Sequence, residues 1–181
     1  MYPRTLAVLG TALMGLSLLP SSSLAQEKPF QLSFIGPTMQ LVDDDADIKG
    51  LRINLLYGVN RNVTGLDLGL VNRTTGDFKG LQHGLIGAVH GRFSGWQDNW
   101  AVNVAEGQFY GLQTGVVNMV GTGEGVQLGP VFNSAEYMSG LQISLVNFAE
   151  DLNGVQLGLI NIIRSKDSFP ILPLVNWKFD Q

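Results

Sequence analysis

The side chains that could do chemistry are few and poorly spaced for it. His83 and His90 are the only histidines and cysteine is absent, which removes disulfides, thiolate metal sites, cysteine nucleophiles and lipid attachment at an N-terminal cysteine. The two histidines have no evident third ligand nearby, so solvated surface histidines are expected. Asp43-Asp44-Asp45-Ala46-Asp47 offers hard oxygen ligands for calcium. Ile48, however, stands where an EF-hand needs its sixth-position glycine, and Asn54 where it needs the closing glutamate. The run reads as a solvated loop tip. Gly91-Arg92-Phe93-Ser94-Gly95 is not a nucleophile elbow, whose serine stands one residue away from each flanking glycine. Asn62-Val63-Thr64 and Asn72-Arg73-Thr74 match the glycosylation acceptor, a pattern short enough to arise by chance. Trp96 and Trp100 suit a sugar or a membrane interface, with packing the expectation. Thr64, Thr74, Thr114 and Thr122 fall at different places in the repeat described next, so they form no flat ladder for binding ice. No catalytic, cofactor-binding or metal residue is assigned, and the expected protein is not an enzyme.

What the chain does carry is a framework. Of its 181 residues, 23 are glycine, nearly twice the usual share. Glycine followed by an apolar residue recurs at Gly50, Gly65, Gly80, Gly95, Gly111, Gly125, Gly140 and Gly154. Counting each as position zero, +1 is apolar in all eight copies and +2 is Gln82, Gln97, Gln113, Gln127, Gln142 or Gln156 in six. Glycine often returns at +4. An asparagine follows at Asn72, Asn103, Asn118, Asn133, Asn147 and Asn161. An apolar residue usually stands at −2, as at Val63, Phe78, Phe93, Phe109, Met138 and Leu152.

Within Gly154-Val155-Gln156-Leu157-Gly158-Leu159-Ile160-Asn161 the apolar residues alternate with glycine and glutamine, the period of a strand and not of a helix. Short turn-rich pieces such as Arg73-Thr74-Thr75-Gly76 separate the strands. The expected fold is all-β: a β-solenoid of about eight 15-residue repeats with capping strands, leucines at +1 pointing inward and Gln and Asn side chains forming ladders. The alternative is an antiparallel up-and-down barrel or meander of about ten strands. Identity between consecutive copies favours the solenoid, because neighbouring meander strands run in opposite directions. Residues 26–49 hold an opening strand and the acidic loop, 50–164 the repeats, and 165–181 a closing or capping strand. The copy at Gly95, with Trp96, Asp98, Asn99 and Trp100, and the copy containing Pro130 are expected to be irregular.

Residues 1–25 read as a signal peptide: Arg4, an apolar run from Leu6 to Leu19, and small residues at Ser23 and Ala25 before the cut. The run is too short to span a bilayer as a helix. Removing those residues takes away Arg4 and turns a net charge of −4 into −5, which disfavours nucleic acid. Charge is uneven along the chain. Residues 49–92 carry six bases against two acids, whereas residues 93–163 carry six acids and no base.

With the repeat written out, Gly65-Leu-Asp-Leu-Gly-Leu-Val-Asn72, Gly140-Leu-Gln-Ile-Ser-Leu-Val-Asn147 and Gly154-Val-Gln-Leu-Gly-Leu-Ile-Asn161 resemble the tandem Gly-Leu-Gln-x-Gly-Leu-Val-Asn units of the bacterial surface-repeat family first recognised in leptospiral proteins. The likeness runs over residues 30 to 179. It implies export to the cell surface, the outer membrane or the periplasm, and carries no cofactor or activity. The expected role is an exported structural or binding scaffold with an envelope or extracellular partner. The alternative role is an outer-membrane β-barrel anchor or small pore.

Overall fold

The computed structural model describes residues 27–179; the signal-peptide reading lies outside them. The strands are β1 (Glu27–Ile35), β2 (Met39–Gln40), β3 (Asp47–Asn60), β4 (Val63–Thr74), β5 (Phe78–Val89), β6 (Phe93–Thr114), β7 (Val117–Leu128), β8 (Phe132–Ile143), β9 (Val146–Ile163) and β10 (Ile171–Lys178). They form one continuous stack in the order β10-β9-β8-β7-β6-β5-β4-β3-β1-β2. From β1 through β3 to β9 every pairing is parallel and joins equivalent repeat positions, Gly65 to Gly80, Gln82 to Gln97, Asn118 to Asn133. This is a β-solenoid, and the antiparallel barrel or meander is overturned. Only the ends are antiparallel, β2 on β1 and β10 on β9.

The glycine at position zero is what lets the coils stack. Gly95 has φ +139°, and a Cβ there would lie 2.0 Å from the carbonyl oxygen of Gly80 in the coil below. The backbone conformation and the close approach each demand glycine.

One expectation about the interior is reversed. The alternation is real, but its two sides are exchanged: glutamine at +2 is fully buried in every copy that has it, while +1 faces out and Leu66 is 47% exposed. The apolar core comes from position −2 instead, with Ile48, Val63, Phe78, Phe93, Phe109, Met138 and Leu152 stacked along the axis. It is completed by Val89, Ala105, Val120, Ala135, Ala149 and Ile163 two residues after the asparagine. Phe78 and Phe93 stack with ring centroids 5.1 Å apart, Phe93 and Phe109 at 5.6 Å.

An interior lined by amides is tolerable because, from Gln97 onward, each glutamine at +2 donates to its copy 14–16 residues away. Gln156 donates to Gln142 (2.7 Å), Gln142 to Gln127 (2.6 Å), Gln127 to Gln113 (2.9 Å), Gln113 to Gln97 (2.8 Å) and Gln97 to Gln82 (2.9 Å). From Gln97 onward each Nε2 also donates to a backbone carbonyl, as Gln142 does to Phe148 O. Burying a polar group is costly only when its partners are missing. The sequence expectation of Gln and Asn ladders therefore holds, whereas the inward leucines do not.

The irregular copies are absorbed locally. Pairing slips once between β5 and β6 and once between β6 and β7. Where Gly87 replaces the ladder asparagine, the side chain of Asn99 fills the space and donates to Gln82 (3.2 Å) and Asn103 (2.8 Å).

Candidate functional site

Because −2, +2 and the asparagine point inward, the residues at +1, +3, +5 and +6 all point outward, two of them in succession at the bend after +4. Across eight copies these 32 positions are apolar except for His83, Asp98 and Thr114. The result is a strip of leucine, valine, isoleucine and tryptophan running the whole length of the solenoid. Leu70 is 47% exposed, Leu145 50%, Leu159 61% and Trp100 75%. The terminal strands prolong it through Phe30 and Leu32 in β1 and Val175 and Trp177 in β10. An open depression of about 420 Å³ lies in it among Pro130, Leu145, Leu159 and Leu174. Exposed apolar patches on monomeric proteins seldom exceed a few hundred Å². Eight coils about 4.8 Å apart and five residues of about 3.3 Å give this strip on the order of 600 Å².

The three polar residues are adjacent and hydrogen-bonded. His83 Nδ1 meets Asp98 Oδ2 at 2.9 Å, the Thr114 hydroxyl donates to Asp98 Oδ1, and Trp96 Nε1 donates to Thr114 Oγ1 at 2.8 Å. This is not a nucleophilic triad, since the hydroxyl donates to the carboxylate and makes no contact with the histidine. The aspartate is the hub of a polar island inside the apolar strip.

The rest of the outer surface is mixed: Val104, Met119 and Phe148 stand one residue after the ladder asparagine, with Met119 42% exposed, among charged side chains. Position −1 carries Lys49, Lys79 and Glu124, and the turn side carries His90, Glu106, Glu136 and Glu150. His90 Nδ1 meets Glu106 and its Nε2 accepts from Arg73 at 3.2 Å. The two histidines thus belong to separate clusters, and among the described residues no three His, Asp or Glu side chains converge on a metal position. Asp43, Asp44 and Asp45 are exposed, while Asp47 is engaged by Arg61 and Asn62, both at 2.9 Å. Asn72 is wholly buried with its side chain accepting from Asn54 (2.8 Å), which removes it as a glycosylation acceptor. Trp96 and Trp100 lie on the apolar strip, not in the core.

One buried ion pair escaped the sequence reading. Asp67 and Arg52 replace glutamine at +2 in the first two copies and are fully buried, with Arg52 Nε and Nη2 donating to Asp67 at 2.7 and 2.6 Å. Gln82 also donates to Asp67 (2.9 Å). The glutamine ladder therefore ends on a carboxylate clamped by a guanidinium. Two unlike charges exactly where the repeat calls for Gln were the available signal.

Comparison with family models, with curated proteins and with solved structures found no match to the chain.

Proposed function

We propose that this protein is an exported, non-enzymatic scaffold of the bacterial cell envelope, whose apolar strip is its docking surface. The observation that carries the reading is the division of labour within each repeat. Amides and phenylalanines fill the interior, and 29 of the 32 outward positions after the glycine are apolar. Apolar side chains at those positions contribute little to the core, so their recurrence through eight copies makes sense as a surface kept for contact. Export is supported by Arg4, the apolar run and the Ser23/Ala25 pair, and by the resemblance to surface-repeat proteins.

The test is fractionation of the producing cell with sequencing of the mature N-terminus. The protein is expected in the envelope or outside the cell, beginning at Gln26, and released from membranes by alkaline carbonate. A chain beginning at Met1 in the cytosol would refute export. Retention after alkali would refute peripheral attachment.

A further inference from the structure

We infer that the apolar strip is covered by a second copy of this chain, lying face to face and antiparallel, with a two-fold axis crossing the strip between the coils that begin at Gly95 and Gly111. This rests on the docking-surface reading above but not on export.

Size comes first. The strip offers 29 apolar side chains and on the order of 600 Å² before side-chain relief is counted, close to the roughly 800 Å² and 20–30 residues per partner of a stable interface. A self-similar surface of that size offers a second copy the same coil spacing to pack against.

The polar island fixes the direction. With β1 and β10 included, the stack has its midpoint between the Gly95 and Gly111 coils. Asp98 and Thr114 occupy +3 in these two coils. The proposed axis pairs the first coil with the eighth, the second with the seventh and the fourth with the fifth. Asp98 then faces Thr114 of the second copy, polar against polar, and His83 falls at the edge of this polar patch opposite Leu128, while the remaining positions meet apolar against apolar. A two-fold axis along the solenoid would instead lay the +1 row against the bend, setting the Asp98 carboxylate over apolar side chains. A lipid occupant is disfavoured for the same reason, because a carboxylate in mid-strip would enter hydrocarbon.

Charge agrees independently. On the rim beside the +1 row, Lys79 of the third coil falls opposite Glu124 of the sixth, and symmetry makes the pair twice.

Sedimentation velocity of the mature chain without detergent, from 1 to 100 µM, tests this. The wild type is expected to be a dimer. Lys79→Glu and Glu124→Lys should each weaken it about tenfold, and the double swap should restore it to within about threefold, since both sites are exposed and the swap rebuilds the pairs. Leu145→Asp should weaken it at least a hundredfold with the β-sheet circular dichroism retained. Since the chain lacks cysteine, a nitroxide placed through Lys49→Cys reads direction. Seven coil spacings put the two labels more than about 30 Å apart in the antiparallel dimer, whereas a label at Tyr110→Cys should lie within about 20 Å of its mate. A monomer at 100 µM, a double swap no better than either single, or short distances at both labels would overturn the inference. So would a monomer that floats with phosphatidylethanolamine and phosphatidylglycerol vesicles, which would make lipid the occupant.

Discussion

Gln142 and Leu141 are neighbours whose roles are the reverse of what their hydropathy suggests. Gln142 is fully buried; it donates to Gln127 at 2.6 Å and accepts from Gln156 at 2.7 Å. Leu141 is only half-buried, on the outer strip. Truncating Gln142 orphans an acceptor in one coil and a donor in the other, each worth about 1–3 kcal/mol when buried. Gln142→Ala is therefore expected to lower the melting temperature by at least about 4 °C, and by as much as about 20 °C, at roughly 2–4 °C per kcal/mol for a chain of this size. Leu141→Gln should lower it by less than about 3 °C. Thermal unfolding followed by circular dichroism compares them, and a larger loss for Leu141→Gln would mean that the inner and outer sides are misassigned.

At the scale of the strand, the ends of the stack need help that the middle does not. β10 is held against β9 by antiparallel pairing and by Lys178, which donates to Asp151, while Ser165 donates to the same carboxylate. These hydrogen bonds, that of Lys178 first, hold Asp151 below its ordinary value of 3.8. A carboxylate whose folded pKa is depressed stabilises the fold above its unfolded pKa and loses that contribution as pH falls through the folded value. β10 should thus loosen on acidification below about pH 3.8 while β4 to β9 stay protected. Hydrogen exchange of residues 171–178, or Trp177 emission, followed from pH 5 to 2.5 is the check. Lys178→Ala should remove the acid step from this strand, and an unchanged midpoint in that variant would disprove the link.

In the whole molecule the two amide ladders run in opposite senses. Glutamine donors point toward the N-terminal coils and end on Asp67. Asparagine donors point the other way, from Asn103 through Asn118, Asn133 and Asn147 to Asn161. Their dipoles oppose, so a long polar interior builds up little net field along the axis. A stack of this kind can grow without limit unless its ends are blunted. Pro173 in β10 cannot donate to a further strand, and pairing shifts beside it between Leu172 and Leu174. Truncation after Ile163 bares the edge of β9 and should convert a discrete species into fibres or aggregates. Size-exclusion chromatography of the truncated chain reads this directly, and a stable, monodisperse product would remove the capping role.

Much of the architecture was legible in the residues alone. A 15-residue spacing of glycine, glutamine and asparagine states the length of a coil, and alternation states that the pieces are strands. Identical neighbours point to parallel stacking, because only then does each residue meet its own copy. The glycine comb has a local cause, a positive φ and a carbonyl 2.0 Å from the missing Cβ at Gly95. Alternation, however, marks two sides without saying which is inside. That was decided by pairing between coils: an amide is costly to bury alone and cheap to bury when its copy lies one coil spacing away, and no single strand contains that partner. The same holds for Arg52 with Asp67 and for Asn99 filling the gap at Gly87, since each is a compensation between residues 12 to 15 apart in sequence that become neighbours only in the stack. The apolar strip follows as the remainder. Once the tertiary structure turns the amides inward, the strand's period of two leaves the leucines no place but the surface.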